Sequence, residues 1–172
     1  MSAHEPTTDR CHTIVDTPIG PLTLVASADA LCEVRFPNGR AVGPVDGPHD
    51  PHHPVLADAA RQLREYFAGD RTTFELPLDP RGSPFQRSAW QGLATIPFGE
   101  TVNYGEQARR LGHDGKARAI GAANGSNPIP VILPCHRVIG SDGSLTGFGG
   151  GLETKAWLLH HERRVAGLEL PF

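Results

Sequence analysis

A cysteine followed directly by a histidine and an arginine is the strongest chemical signal in the chain. Cys135, His136 and Arg137 end an apolar, proline-containing segment that begins at Asn127. A thiol becomes a nucleophile when its anion is favoured, and a histidine base or a nearby cation provides that stabilisation. Adjacent side chains on a straight strand point to opposite faces, so Cys135 and His136 can cooperate only if the chain turns or a water molecule joins them. For a cysteine considered alone, an inert buried thiol is the alternative.

The other cysteines and histidines do not form a metal-binding pattern. Cys11 and Cys32 lack CxxC spacing, so we expect free thiols in a reducing compartment, with Cys11 in a loop and Cys32 in strand packing. His49, His52 and His53 lie in segment 37–54, which holds five prolines and three glycines. Because such a surface loop lacks a fourth preorganised ligand, we expect solvated histidines and no metal.

The composition is that of a globular chain. Its 172 residues are 38% hydrophobic and 20% charged, and no apolar run approaches the roughly 20 residues of a membrane helix. The first residues include acidic side chains and no apolar stretch, unlike a secretory or transit signal. These features predict a cytoplasmic protein without a membrane partner.

The two halves of the chain differ in charge. Residues 1–80 carry 6 basic and 12 acidic groups, whereas residues 81–172 carry 10 basic and 7 acidic groups. A polyanion is repelled by the first half and attracted by the second, so any nucleic-acid site belongs in the C-terminal part.

The N-terminal half has the pattern of a small sheet covered by a helix. Three short runs rich in β-branched residues predict an antiparallel meander over residues 12–36. The next apolar positions, 55–67, recur at helical spacing and stop at Gly69, which suits a left-handed helix end. Residues 73–78 predict a fourth strand.

The C-terminal half predicts several helices. Ser83, Pro84 and Gln86 form a capping-box pattern for a helix that runs to about Thr95. Two short helices follow, at 104–111 and from about Lys116 to about 125, joined by a glycine-containing turn. This is the helix-turn-helix arrangement, in which the second helix meets DNA, although an ordinary helical hairpin has the same spacing.

The second of these helices has a face with almost no side-chain bulk. A flat helix face can approach a groove closely, but small residues also serve tight helix packing. Lys116 and Arg118 project from the start of this helix. The small residues are Ala117, Ala119, Gly121, Ala122 and Ala123.

The segment Pro134 to Val138, which reads PCHRV, resembles the active-site signature of the O6-alkylguanine-DNA alkyltransferases, also called methylated-DNA–protein-cysteine methyltransferases. The resemblance extends from Phe85 to Glu162 through FQRSAWQ, IPFGETVNYGEQA, KARAIGAANGSNPIP and GFGGGLETKAWLLHHE, and more loosely to DTPIGPL in the N-terminal half. It implies a repair protein that moves the alkyl group of O6-alkylguanine, and of O4-alkylthymine, irreversibly to its own cysteine, once per chain.

The resemblance also implies roles for individual residues. Cys135 is the alkyl acceptor, His136 is its base acting through water, and Glu162 orients the histidine. On the sequence alone, Glu162 could instead be an exposed helix carboxylate among His160, His161, Arg163 and Arg164. Asn127 ties the helix-turn-helix to the active-site turn. Tyr104 helps to protonate the departing guanine and crowds the phosphate of the target nucleotide.

The same resemblance implies how DNA is held. Arg118 fills the space that the extruded nucleotide leaves, and the second helix enters the minor groove of double-stranded DNA without reading its sequence. The expected DNA contacts are Arg118, Ala117, Ala119, Gly121, Tyr104, Lys116 and Arg137. The expected substrate contacts are Val138, Phe148, Gly149, Gly150 and Pro130.

Two departures from the family pattern affect these expectations. Phe148, Gly149 and Gly150 supply no hydroxyl where relatives often have tyrosine and serine, so only backbone N–H groups can reach O6 there. Thr8 and Ser27 stand where zinc-binding relatives have cysteines, so we expect no zinc. The implied reaction needs no cofactor.

The expected architecture has two domains. Residues 1–80 form an α/β, ribonuclease H-like domain with a small antiparallel sheet and a covering helix. Residues 81–172 form a mostly α, winged-helix-like domain with the helix-turn-helix and the alkyl acceptor. We expect a monomer in solution and leave clustering on DNA open. The alternatives are a noncatalytic protein that binds alkylguanine, which the presence of Cys135 disfavours, and a cysteine hydrolase using Cys135, His136 and Glu162.

Overall fold

The structure, a computed structural model, describes residues 10–38, 45 and 47–168. The expectations for the first residues of the chain, including Thr8 in the zinc argument, lie outside these residues. So does part of segment 37–54.

The predicted meander is confirmed as a three-stranded antiparallel sheet. Its strands, in spatial order, are β1 (Cys11–Val15), β2 (Leu22–Ala26) and β3 (Leu31–Arg35). Cys11 lies in β1 rather than in a loop and is only 5% exposed, so its expected place was wrong. Alternate residues of β1 face the core, which gives Cys11 the buried side of the strand.

The predicted covering helix is also confirmed, as α1 (Pro54–Ala68). The ring of His53 accepts a hydrogen bond from the backbone N–H of Val55, and Gly69 ends the helix with φ of 85°. A left-handed residue at this position favours glycine, which has no Cβ to clash. The apolar face of α1, including Leu63 and Tyr66, lies in the core beneath the sheet.

The predicted fourth strand at residues 73–78 was wrong. Leu78 makes only an isolated bridge with Leu31, and the backbone of Glu75 pairs with the side-chain amide of Gln62. Pro77 has no N–H to continue a ladder. The amide of Gln62 therefore satisfies backbone groups that a strand partner would have used.

The C-terminal half consists mainly of helices. The capping box of Ser83 and Gln86 is present at the start of the first one. Two short parallel strands pair beside the helices. A single turn of 3-10 helix spans Cys135–Arg137. In chain order the other elements are α2 (Pro84–Leu93), β4 (Val102–Asn103), α3 (Tyr104–Arg110), α4 (Ala117–Gly125), β5 (Val138–Ile139) and α5 (Leu152–Val165).

One hydrophobic core joins the two halves. It contains residues of β1 to β3, α1, α2, the segment 129–135 and α5. A backbone hydrogen bond of 2.9 Å from Val34 in β3 to the carbonyl of Pro128 connects the sheet to the segment that leads to Cys135. Among the described residues, no helix has the length and apolar character required to cross a membrane.

Candidate active site and nucleic-acid interface

The chain turns at Cys135. A turn here is one of the two conditions under which adjacent Cys135 and His136 could cooperate. The 3-10 turn is closed by the N–H of Arg137 bonding the carbonyl of Pro134 at 3.0 Å. Asn127 supports this turn from outside, because its side-chain N–H donates to Leu133 O at 2.8 Å. Its side-chain oxygen accepts from the N–H of Ile129 at 2.9 Å.

The thiol of Cys135 is nearly enclosed, with 7% of the residue exposed. Burial raises the pKa of Cys135, while the side chain of Asn127 and the charge of Lys155 act in the opposite direction. Burial prevails, so the resting thiol keeps its proton at neutral pH. A base is therefore needed to form the nucleophile.

His136 is placed to be that base. Its side chain is fully buried, and Nε2 lies 2.7 Å from Oε2 of Glu162, which is also fully buried. A carboxylate only accepts, so the ring hydrogen lies on Nε2 and Nδ1 carries the lone pair. Nδ1 is buried and has no partner among the described residues. Burial lowers the pKa of His136 despite the opposing effect of Glu162, which leaves the imidazole neutral and able to accept a proton.

Glu162 is buried rather than exposed on its helix, which decides between the two interpretations of this residue. Burial alone would raise its pKa, but His136 and Arg137 hold the pKa of Glu162 well below its usual range. Arg137 binds both oxygens, through Nε at 2.8 Å and Nη2 at 2.9 Å. The hydroxyl of Tyr66 donates to Oε2 at 2.6 Å.

This geometry corrects the expectation that Arg137 contacts DNA. Its guanidinium is bound to Glu162, and Nη1 donates to the carbonyl of Ile96 at 2.7 Å. Arg137 is 6% exposed, so reaching a phosphate would require breaking a buried ion pair.

Three polar side chains of the site were missed by the sequence reasoning. Lys155 is fully buried and its ammonium group donates to the carbonyls of Val138 at 2.7 Å and Thr146 at 2.9 Å. Its position could have been found, because Lys155, Leu158, Leu159 and Glu162 follow the i, i+3, i+4, i+7 spacing of a buried helix face. The hydroxyl of Thr146 donates to that of Tyr104 at 2.9 Å, and Tyr66 bonds Glu162. No local sequence signal marks these two contacts.

Two depressions with shared lining residues lie at the surface, and Cys135 lines the smaller one. The smaller, about 240 Å³, is lined by Cys135, Pro130, the end of β3 and segment 124–128. The larger, about 670 Å³, is lined by Tyr104, Arg118 and small residues of α4. They share Gly125, Ser126, Phe148 and Gly149.

The remaining candidate substrate residues, Val138 and Gly150, line neither depression. Val138 is fully buried, and its carbonyl accepts from Lys155. Gly150 lies under the ring of Phe36, where an added Cβ would come within 3.0 Å of ring atoms. Phe36 also meets the ring of Phe148 edge-on at 5.4 Å between centroids.

Helix α4 presents part of the expected small face to solvent, whereas Ala123 is 3% exposed and packs in a hydrophobic cluster with Ile120. Lys116, Arg118 and Ala119 are exposed, and Ala117 is half-buried. Gly121 lies beside the ring of Tyr104, where an added Cβ would be 3.7 Å from ring atoms.

Helix α4 is fixed from behind by paired amides. Gln107 of α3 and Asn124 exchange two hydrogen bonds of 3.2 and 2.8 Å, and the indole N–H of Trp90 donates to Ala123 O at 2.7 Å. Buried bonds of this kind set the angle between α3 and α4.

Comparison with known proteins identifies the family of this chain. Residues 84–164 match the profile described as 6-O-methylguanine DNA methyltransferase, DNA binding domain, and residues 11–80 match its ribonuclease-like domain. A Mycolicibacterium paratuberculosis methylated-DNA–protein-cysteine methyltransferase is 48% identical over 157 residues, which cover 87% of this chain and 90% of that protein. The Methanosarcina acetivorans protein of the same name is 42% identical over 151 residues, covering 88% and 97%.

A solved structure also resembles the whole fold. The crystal structure of Mycobacterium tuberculosis OGT in complex with DNA superposes with a TM-score of 0.84 at 46% identity, covering 90% of this chain and 94% of that one. The similarity therefore includes both the sheet and the helical half.

Proposed function

Because the chain belongs to the methylated-DNA–protein-cysteine methyltransferase family, we propose that Cys135 is the residue that accepts the alkyl group from O6-alkylguanine in DNA. The protein is a DNA-binding repair methyltransferase. The noncatalytic alternative is not favoured. The observation that carries the assignment of Cys135 is the buried, unpartnered Nδ1 of His136, backed by Glu162 and next in sequence to the thiol.

The chemistry is a single displacement. His136 takes the thiol proton through a bridging water, and the thiolate attacks the alkyl carbon bound to guanine O6. The sulfur–carbon bond forms as the carbon–oxygen bond breaks, and the electron pair stays on guanine. Tyr104, whose oxygen accepts a hydrogen bond from Thr146, donates a proton to the departing guanine. Solvent returns a proton to the phenolate and takes the thiol proton from the His136 imidazolium, so the step is balanced. The thioether is stable, so each chain reacts once and no cofactor takes part.

DNA is engaged through α4. Its small residues allow close approach in the minor groove, and the exposed Arg118 fills the gap in the stack when the target nucleotide is extruded. Extrusion is required because a thiol cannot reach an atom inside a stacked duplex. The adjoining depressions beside α4 and Cys135 then receive the base. Contacts to phosphates and small residues predict binding without sequence preference.

The remaining assignments are also proposals. Residues 1–80 act as the ribonuclease H-like domain and residues 81–172 as the DNA-binding and acceptor domain. The protein acts as a monomer in the cytoplasm, and O4-alkylthymine is a second substrate.

Intact mass measurement after incubation with a methylated duplex tests the acceptor. The wild-type chain should gain one methyl group, and Cys135→Ser should gain none while still binding DNA, because a serine hydroxyl is far less ionised than a thiol. Cys11→Ser and Cys32→Ser are the matched controls, since both thiols are buried in the sheet, and both variants should gain one methyl. Methyl transfer by Cys135→Ser would refute the assignment.

A further inference from the structure

The N-terminal helix contributes one polar group to the acceptor site. Tyr66 lies in α1, is fully buried, and its hydroxyl reaches Glu162 across 96 residues of sequence. Burial, with the adjacent Glu162 charge, raises the pKa of Tyr66 well above its usual value, so the phenol keeps its proton and acts as the donor.

Tyr66 and His136 bond the same oxygen of Glu162. Oε2 accepts from Tyr66 at 2.6 Å, from His136 at 2.7 Å and from Arg137 at 2.9 Å. A donor to a carboxylate disperses its negative charge, which weakens the attraction of that oxygen for any other proton. The hydroxyl of Tyr66 therefore competes with the imidazole for the same charge.

The orientation of the Glu162 carboxylate does not depend on the hydroxyl of Tyr66. Arg137 already fixes the plane of the carboxylate by binding both oxygens, and the N–H of Gly99 lies 3.4 Å from Oε1. The loss of one donor from Oε2 should therefore change the charge on that oxygen more than the direction of the carboxylate.

We propose that Tyr66 is a positioning residue that couples the N-terminal helix to the acceptor: its hydroxyl limits how strongly Glu162 draws a proton onto His136, and so how readily Cys135 ionises. The inference rests on the proposed roles of Cys135, His136 and Glu162. Its consequence is that a thiol already kept protonated by burial ionises less readily, which restrains reaction with electrophiles other than the bound substrate.

Removing the hydroxyl of Tyr66 leaves the other groups around Tyr66 and Glu162 in place. The ring of Tyr66 contacts those of Phe67, Phe98 and His161, and Tyr66→Phe retains these contacts. Other titratable and charged groups lie around Tyr66 and the Glu162 carboxylate. They are Cys135, His136 and Arg137 from the turn, and Lys155, His161 and Arg163 from α5.

The test is the pH dependence of Cys135 alkylation by iodoacetamide, followed by mass spectrometry of the peptide that contains Cys135. In Tyr66→Phe the midpoint should move to lower pH by about one unit, because a charge-assisted hydrogen bond is lost from the oxygen that stabilises the imidazolium. Below the midpoint the variant should react roughly tenfold faster than the wild type.

Phe67→Leu is the matched control, because it alters packing against Tyr66 and removes no hydrogen bond to Glu162. The midpoint of Cys135 alkylation in this variant should not move. A graded variant, 3-fluorotyrosine at position 66, has a more acidic phenol and should move the midpoint upward, which keeps the test available if Tyr66→Phe does not fold. An unchanged midpoint, or an upward shift in Tyr66→Phe, would overturn the proposal. Since iodoacetamide needs neither DNA nor alkylguanine, this outcome is separate from failure of alkyl transfer.

Discussion

Replacing Glu162 by glutamine removes the one negative charge that Arg137 and His136 share. The side chain is fully buried and accepts bonds from Tyr66, His136 and Arg137, so an amide of the same shape leaves a buried guanidinium without its counter-charge. Breaking a buried pair in this way costs about 3 kcal/mol or more of the free energy of unfolding. For a chain of this length, we expect the melting temperature to fall by about 6 to 12 °C.

The same substitution should lower the rate at which the Cys135 thiol is alkylated. Without the carboxylate, the imidazolium loses a charge-assisted hydrogen bond of about 1.5 to 3 kcal/mol, which corresponds to about one to two pH units in the apparent pKa of Cys135. At pH 7, alkylation in Glu162→Gln should therefore be roughly 10 to 100 times slower than in the wild type. His136→Gln should be affected at least as strongly, and the double variant should show less than the sum of both effects, because either change disables the same relay.

Chemical unfolding at several pH values and the pH profile of thiol alkylation together measure both effects. The pKa of Glu162 is depressed in the folded state, so its contribution to stability is present above the ordinary glutamate pKa and is lost as pH falls below it. The stability difference between wild type and Glu162→Gln should therefore narrow below about pH 4. Glu153→Gln, an exposed position on the first turn of α5, is the control and should change neither measurement. An unchanged alkylation profile in folded Glu162→Gln would refute the relay.

Two further predictions concern the exposed cation Arg118 and the buried cation Lys155. Arg118→Ala should slow repair of a base-paired lesion by a much larger factor than reaction with free O6-benzylguanine, because a free base needs no extrusion; equal losses in the two rate measurements would argue against the proposed role. Lys155→Met should lower the rate of Cys135 alkylation and the melting temperature, because it removes a nearby positive charge and leaves the buried carbonyl of Val138 without its donor. Burial lowers the pKa of Lys155 to about 8, so wild-type stability should rise from pH 8 towards pH 10 and this rise should be absent in Lys155→Met.

Local signals were sufficient for most of the elements. The capping box at Ser83 and the left-handed end at Gly69 depend on residues within one helical turn, so the sequence alone could place them. No strand forms at 73–78, because the backbone of Glu75 bonds the side-chain amide of Gln62 instead of another strand. A contact between residues this far apart leaves no local sequence signal.

The sequence by itself identified Cys135 as the candidate nucleophile, because thiol, histidine and arginine are adjacent and the PCHRV segment resembles a known signature. It could not determine where these side chains point, since that depends on the 3-10 turn and on its support by Asn127. The resemblance implied a DNA contact for Arg137. Only the folded chain turns it inward to Glu162.

The tertiary structure alone decided which residues surround the Glu162 carboxylate. Tyr66 and Arg137 are separated from it by 96 and 25 residues, and no periodic pattern links positions so far apart. A buried charge must be paired and hydrogen-bonded, but many side chains in the sequence could satisfy that requirement. Packing α1 and α5 into one core selects among them, because it brings Tyr66 within 2.6 Å of Oε2 of Glu162.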